Sequence, residues 1–266
     1  MCSPRLFFLV LAAALISGCG AVNQNSVPPV SQTSPPPIST TGSSGSAAVF
    51  PHLANAFTGI NLMSGWQNCG SCSGLNGQGP QIPYWMTQFV NSPSLSGGAV
   101  QFSVAGAAPY GSALWWRQLG PQPQATHFLF DLDFYLLDES SVQALEFDMN
   151  QTVNGLKYIF GTQCNVRGGG QWDVWDTANA HWVKTQVACP VPKAGVWHHL
   201  TIEEERVGTQ TRFVAIALDG TKNDLDLYFE SKPVNAAELN VAVQLDENYA
   251  AANYSLWVDN ITLAYQ

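Results

Sequence analysis

The chain has 266 residues, with 19 acidic side chains against 10 basic ones and a formal net charge of −9. This acidic balance argues against nucleic acid as a partner, because a phosphate backbone is bound by basic surface. Arg5 and Arg117 are the only Asp, Glu, Lys or Arg residues before Asp131. Polar contacts in the first half of the sequence therefore fall to amides, hydroxyls and backbone groups.

The first residues have the pattern of an export signal. Arg5 precedes an apolar run, 6–16, that is shorter than the ~20 residues of a membrane-spanning helix. The run leads into Ser17-Gly18-Cys19, which resembles the bacterial lipobox, where a small residue precedes a lipidated cysteine. The resemblance implies a lipoprotein signal peptide over 1–18, lipid on Cys19 and anchoring in the cell envelope, at the outer membrane. An ordinary cleaved signal, which gives a freely secreted protein, is the alternative.

A segment rich in Ser and Pro follows at 19–48. It cannot bury enough apolar surface to offset its ordering entropy, so we expect a disordered tether. One domain remains, 49–266, and this length is ordinary for a single all-β domain. We expect a monomer that contacts a membrane only through its N-terminal lipid.

The cysteine count predicts disulfide bonds in the domain. Of six cysteines, Cys2 is removed with the signal and Cys19 carries the lipid, which leaves an even number in an exported domain. We expect the pairs Cys69–Cys72 and Cys164–Cys189, although other connectivities remain open. A redox or zinc role for the Cys-Gly-Ser-Cys spacing is the alternative, but no helical pattern follows it.

Helical periodicity is almost absent from the domain. Alternating and aromatic-rich runs bounded by Gly, Pro, Asn and Asp indicate strands instead. The predicted strands are 84–90, 99–104, 112–118, 127–137, 143–150, 157–163, 171–175, 181–186, 197–205, 212–218, 225–229, 240–246 and 254–264. This many short strands predict an all-β fold with two packed antiparallel sheets, a jelly-roll sandwich.

The predicted strand 143–150 alternates apolar and polar side chains. A period of two directs one set toward the core and the other to the opposite face of the sheet. The core set is Leu145, Phe147 and Met149, and the polar set is Glu146, Asp148 and Asn150. Two carboxylates and an amide in line can serve a catalytic site, a metal site or a sugar-binding groove.

Two segments near the end of the chain resemble a known superfamily. Trp197-His198-His199-Leu200, followed by the segment 215–220 with its Asp-Gly ending, looks like a hairpin of laminin G-like and concanavalin A-like domains. The ending 256–261 is similar to their closing strand. The resemblance implies a concanavalin A-like sandwich, and this superfamily contains lectins, carbohydrate modules, lyases and glycosidases. We expect the two histidines to be structural.

The polar row also resembles the Glu-x-Asp-x-Glu strand of laminarinases, lichenases and agarases. That resemblance implies Glu146 as nucleophile and Asp148 as the residue that orients it, but Asn150 stands where the family has its acid/base glutamate. An amide cannot donate and recover a proton, so retaining hydrolysis needs an acid from another strand. The candidates for that acid are Asp131, Asp133, Glu204 and Asp246.

Two further interpretations of the row stay open. Legume lectins use a similar Glu-x-Asp for manganese and calcium, but the segment 152–157 lacks the Asp and His that follow there. A structural calcium ion is thus an open alternative to having no cofactor. Otherwise, Glu146 and Asp148 lie on a solvated face or pair with Arg167 or Arg212.

Tryptophan is abundant, with nine residues in the chain. Sugar rings lie on indole faces while their hydroxyls bind amides, carboxylates and guanidinium groups. Adjacent or odd-spaced tryptophans point to opposite faces of a strand, so at most one of Trp172 and Trp175 lines a given groove, and one of Trp115 and Trp116 is core while the other is exposed. We expect one or two tryptophans of the whole set to be platforms for a sugar. The predicted carbohydrate-binding residues are Asn150, Trp116, Arg117, Trp172, Trp175 and Asn165.

The sequence therefore predicts a surface-anchored, lectin-like domain that binds a polysaccharide or glycan on its concave sheet. The alternative is an enzyme of the same fold with Glu146 as the key carboxylate, either a retaining, endo-glucanase-like glycoside hydrolase or a polysaccharide lyase. A structural or adhesion domain without a sugar site is the third hypothesis.

Overall fold

A computed structural model describes residues 48–70 and 80–266. Its strands are β1 (Asn55–Phe57), β2 (Gln67–Cys69), β3 (Tyr84–Val90), β4 (Ala99–Val104), β5 (Ser112–Gln118), β6 (His127–Leu136), β7 (Val142–Val153), β8 (Leu156–Phe160), β9 (Thr162–Asn165), β10 (Gln171–Asp176), β11 (His181–Ala188), β12 (Trp197–Val207), β13 (Gln210–Leu218), β14 (Thr221–Glu230), β15 (Lys232–Pro233), β16 (Glu238–Glu247) and β17 (Tyr254–Tyr265). A single turn of 3-10 helix covers Ile60–Leu62.

The strands form two antiparallel sheets. Sheet A has the order β14-β13-β12-β6-β17-β4-β3, with β1 also paired to β17. Sheet B has the order β11-β10-β9-β7-β16-β5-β2, with β8 paired to both β7 and β15. The predicted all-β, two-sheet antiparallel sandwich is confirmed.

Most predicted strands match the structure within a few residues, and three short ones were not predicted. β1, β2 and β15 span two or three residues each, too few to show an alternating pattern. The predicted strand 157–163 is wrong as one element, because Gly161 separates β8 from β9. Both pieces pair with the same side of β7, one after the other.

Alternation in β7 and β16 builds the core between the sheets. Leu145, Phe147 and Met149 of β7 are fully buried. On β16, the side chains of Val241, Val243 and Leu245 are likewise buried in this core. Aromatic rings from both sheets fill the space around them, and this core includes Phe102, Trp115, Phe130, Phe134, Phe160, Trp172 and Phe213.

The segments 197–200 and 215–218, which resemble a hairpin of the superfamily, belong to the paired strands β12 and β13, and the Asp-Gly ending forms the turn between β13 and β14. Asp219 and Gly220 both have positive φ, as a two-residue hairpin turn requires. Asp219 accepts a hydrogen bond from the backbone N–H of His199 at 2.9 Å and lies 2.8 Å from Nδ1 of His198. The imidazole of His198 stacks on Phe134, so this histidine fastens the turn to the sandwich.

One predicted disulfide bond is confirmed. Cys164 and Cys189 are joined, with 5.5 Å between their Cα atoms. Cys69 is also disulfide-bonded. Its predicted partner Cys72 lies outside the described residues, as do the predicted signal peptide, Cys19 and the tether. Within the described ranges, no helix has the length and apolar character to cross a membrane.

Candidate functional site

The outward face of sheet B carries an unusual density of polar side chains. Glu146, Asp148 and Asn150 of β7 lie on this face, opposite the buried apolar set. The neighbouring strand β16 contributes Gln244 opposite Glu146 and Asn240 opposite Asn150. We call this surface the polar face of sheet B.

Glu146 is paired with a second carboxyl group. Asp246 on β16 lies beside it, with the side-chain amide of Gln244 between the two carboxyls. The amide Nε2 of Gln244 donates to the carboxyl of Glu146 and, at 3.1 Å, to Oδ1 of Asp246. Ser112 of β5 also bonds to Asp246.

Burial and mutual repulsion shift the acidities of these groups. Burial raises the pKa of Glu146 well above its usual value, and the charges of Asp246 and Asp148 raise it further. Burial also raises the pKa of Asp148 to about 7 and that of Asp246 to about 6. Only 7% of Glu146 is exposed. The polar face thus keeps protonated and ionised carboxyls side by side near neutral pH.

Asp148 lies near two indole rings, those of Trp175 and Trp182, which we call the aromatic corner. Its Oδ1 accepts a hydrogen bond from the backbone N–H of Thr162 at 3.1 Å. A Cβ on Gly161 would lie 3.6 Å from that oxygen, 2.9 Å from Cβ of Trp175 and 3.4 Å from the ring of Trp182. The two indoles meet edge to face, with 5.1 Å between centroids. Glycine is therefore required where the carboxylate and the two rings converge.

A single cross-strand row connects this corner to another tryptophan. Trp175 lies opposite Trp182 on one neighbouring strand. On its other side, the backbone N–H of Trp175 donates a hydrogen bond to the backbone carbonyl of Gly161. Beyond Gly161, Asp148 lies opposite Ala242, and Ala242 lies opposite Trp116 of β5. Four strand spacings separate Trp175 from Trp116, roughly 19 Å. Small side chains lie in the middle of this row and indoles at both ends, and we call the row the groove of sheet B.

Most of the predicted site residues share this face, and two do not. Glu146, Asp148, Asn150, Asn165, Trp116 and Trp175 all belong to it by strand parity. Trp172 is 2% exposed and part of the core, so its prediction as a sugar platform is wrong. Arg117 points to the side opposite Trp116 and bonds to the carbonyl of Gln118, so it does not join the groove either.

Several polar-face residues were not predicted. Asp173 of β10 is 2% exposed and accepts hydrogen bonds from the amides of Gln163 at 3.0 Å and Asn165 at 2.9 Å. Gln244 and Asn240 were likewise missed, although β16 alternates polar and apolar residues as clearly as β7 does. That alternation is the signal that could have found them.

The structure shows where the four candidates for the acid of retaining hydrolysis lie, namely Asp131, Asp133, Glu204 and Asp246. Asp246 is beside Glu146, whereas Asp131 and Asp133 belong to sheet A. They flank His199, at 3.2 Å and 2.9 Å, and their hydrogen bonds raise its pKa to about 10. Glu204 faces the core with neither carboxyl oxygen bonded. Only Asp246 of these four shares a hydrogen-bond donor, the amide of Gln244, with Glu146.

The row does not fit a metal ion of the legume-lectin kind. The NH2 group of Gln244 points at both Glu146 and Asp246, where a cation would need oxygen ligands. Asp148 is bonded to a backbone N–H. No group of three or more His, Cys, Asp or Glu side chains in the described ranges is arranged to hold a metal.

Comparisons with known proteins show likeness at the level of fold. No protein-family model and no curated protein matches the chain. An endo-β-1,4-glucuronan lyase from the fungus Trichoderma reesei has a TM-score of 0.48 and 13% identity, over 81% of this chain and 96% of that one. The carbohydrate recognition domain of Emp47p has a TM-score of 0.45 and 10% identity, over 84% and 99%.

A sialidase is also similar, with a TM-score of 0.39 and 12% identity. That match covers 70% of this chain but spans only 16% of the sialidase. Similarity this low concerns the fold alone, so function has to be argued from the site.

Proposed function

We propose that this protein binds a neutral polysaccharide on the polar face of sheet B. The observation that carries the proposal is the row in which Asp148 and Ala242 lie between Trp116 and the Trp175–Trp182 pair. Indole faces accept the C–H faces of sugar rings, and the amides and carboxyls between them bond to hydroxyl groups. A row of this width accommodates several sugar units of an extended chain.

The charges on the face favour a neutral glycan over a uronate. Five acidic side chains share the face by strand register, namely Glu146, Asp148, Asp173, Glu238 and Asp246. The lysines that register places there are Lys157, Lys184 and Lys232, all on flanking strands. A polymer that carries a carboxylate on each ring would meet repulsion across the groove, whereas hydroxyl groups donate to carboxylates.

Binding of the full-length chain to insoluble and soluble polysaccharides tests the proposal. Neutral glucans, galactans and mannans form one set, and alginate and polygalacturonate form the other. Trp116→Ala is expected to weaken binding to the neutral ligand at least about tenfold, because it removes one end of the groove. Tyr228→Ala is the matched control, since this exposed aromatic residue lies on sheet A.

The outcomes separate the two parts of the proposal. Failure to bind any glycan of either set contradicts a carbohydrate-binding function. Preference for the polyuronates contradicts only the inferred neutrality of the ligand. An equal loss in Trp116→Ala and Tyr228→Ala would place the ligand elsewhere.

Cleavage of the bound polysaccharide is a second candidate function. It is favoured by the Glu146–Asp246 pair, because a buried protonated carboxyl beside an ionised one is the arrangement of general acid catalysis. Retaining glycosidases keep ~5 Å between their two carboxyls for the substrate, whereas here the Gln244 amide occupies the space between Glu146 and Asp246. Hydrolysis would therefore require the pair to separate around the substrate.

A direct assay distinguishes binding from cleavage. The full-length chain is incubated with each polysaccharide, and reducing ends and the ultraviolet absorbance of unsaturated products are measured. Glu146→Gln keeps the side-chain shape but removes the titrating proton. Product formation that is lost in Glu146→Gln supports the enzyme, while binding without products in the wild type excludes cleavage of the tested polymers.

We also propose that the chain is displayed on a bacterial envelope through lipid on Cys19, with secretion of the free protein as the alternative. The support is the apolar run followed by Ser17-Gly18-Cys19. Metabolic labelling with an alkyne fatty acid tests it. Labelled protein in the membrane fraction, lost in Cys19→Ala, is expected; unlabelled protein in the medium favours the cleaved signal.

A further inference from the structure

A cavity of about 210 Å³ opens on sheet A, away from the polar face of sheet B. Residues from β3 and β17 and from the segments that follow β6 and precede β17 line it. The volume is below the ~300–1,000 Å³ of pockets for drug-sized ligands. It therefore suits one small ring better than an extended chain.

Aromatic side chains supply two sides of this cavity. Trp85 on the edge strand β3 is 46% exposed, and Trp257 on β17 is 7% exposed. Trp257 continues a cross-strand series, since it pairs with Tyr135 and Tyr135 pairs with Trp197. The ring centroids of Tyr135 and Trp257 are 6.0 Å apart, which holds the indole of Trp257 in place. The exposed part of the Trp85 ring is open to contact with a ligand.

Polar groups line the other sides. The hydroxyl of Ser255 belongs to a network in which Gln101 Nε2 donates to it at 3.1 Å and Ser103 Oγ lies at 2.7 Å. Asp138 accepts a hydrogen bond from the backbone N–H of Ser140, which lowers its pKa and keeps it ionised. These groups offer an acceptor and an ordered hydroxyl next to the indoles.

One donor in the lining is available to another molecule. Asn253, which is exposed, uses its Oδ1 to accept from the backbone N–H of Gly106 at 2.8 Å, and this leaves its NH2 group for an occupant of the cavity. The cavity therefore favours an occupant with acceptor atoms.

We propose that this cavity is a second carbohydrate site, which takes one sugar ring independently of the groove on sheet B. A sugar hydroxyl both donates, as Asp138 requires, and accepts, as Asn253 requires. Its C–H face packs on Trp85. A quaternary ammonium group would suit the indoles and the carboxylate, but it has no acceptor for the NH2 group of Asn253.

NMR of the indole N–H groups in the full-length chain tests the second site. Glucose, galactose, mannose, N-acetylglucosamine and choline are titrated separately, and the Trp85 and Trp257 resonances are assigned from Phe substitutions. At least one sugar is expected to shift both resonances with saturation. Trp85→Ala is expected to weaken that response at least about tenfold, and Asn253→Ala, in an exposed loop, to weaken it as well.

Two controls define the result. Tyr228→Ala alters a different exposed ring on sheet A and is expected to leave the titration unchanged. Trp116→Ala is expected to impair the sheet B groove but not these shifts. The second site is disproved if no sugar shifts the two resonances, if choline alone does so, or if Trp116→Ala abolishes the response.

Discussion

Glu146 and Asp246 lie on adjacent antiparallel strands of sheet B, and the side-chain amide of Gln244 donates a hydrogen bond to each of them. The glycosidase-like row therefore has its second buried carboxyl, although it comes from β16 and not from position 150. Asn150 donates instead to Oδ1 of Asn240 at 3.1 Å. The amide at position 150 thus joins the hydrogen bonds of the polar face and supplies no titrating group.

The stability of the domain is expected to fall as pH rises from about 4 to about 7. A carboxyl whose pKa is raised on folding binds more protons in the folded state, so its contribution is lost as pH rises through the folded pKa. The raised pKa values of Glu146, Asp148 and Asp246 all act in this direction. Denaturant midpoints measured across this range check it.

Glu146→Gln should make that pH dependence shallower, because one raised carboxyl is removed. Asp224→Asn, an exposed residue of β14, is the matched control and should retain the wild-type slope. A wild-type midpoint that rises with pH over the same range would contradict the raised pKa values of the buried pair.

Alanine substitutions of Trp172 and Trp175 should affect different properties, the first mainly stability and the second mainly polysaccharide binding. Trp172→Ala is expected to cost about 3–5 kcal/mol of unfolding free energy, because a fully buried ring is lost. Trp175→Ala should cost less, since its ring is only partly buried, but it should weaken polysaccharide binding. Denaturation and binding isotherms on both variants test this, and equal effects of the two substitutions would show that both rings act alike.

Gly161→Ala should damage the groove more than the fold. The new Cβ would lie 2.9 Å from Cβ of Trp175, so β10 must shift and carry its ring away from Asp148. Weaker glycan binding with cooperative unfolding retained is the expected result. Gly98→Ala is the control, because its Cβ meets only the flexible end of Leu62. Wild-type affinity in Gly161→Ala would contradict the requirement for glycine.

Replacing Glu204 should stabilise the protein. Its carboxyl is buried in the core without a hydrogen bond, and burial raises its pKa well above the usual value. Glu204→Leu removes that cost, about 1–3 kcal/mol for an unsatisfied buried polar group. The gain should be larger at pH 8 than at pH 5, because the wild-type carboxyl is harder to keep neutral at higher pH.

Glu203→Leu is the opposing control for that substitution. Glu203 lies 3.0 Å from Nε2 of His127 and 3.3 Å from Nζ of Lys222. Its replacement should therefore destabilise the domain. Thermal and denaturant unfolding of both variants gives the comparison, and a loss of stability in Glu204→Leu would show that the buried carboxyl is bonded.

The sequence determined the fold class and the local polarity of the strands. Alternation with a period of two is a local property, so β7 could be divided into Leu145, Phe147 and Met149 on one face and Glu146 and its partners on the other. The even number of cysteines expected in the exported domain predicted disulfide bonds, and the structure selects Cys164–Cys189 among the connectivities that the count left open.

Only the tertiary structure decided which strands are neighbours and which parity faces the core. Local pattern says that Trp115 and Trp116, or Trp172 and Trp175, point to opposite sides, but packing between the sheets buries Trp115 and Trp172. Likewise, Asp246 meets Glu146 because β16 pairs with β7. Strand pairing depends on contacts between distant segments, and a single sequence carries no local signal for it.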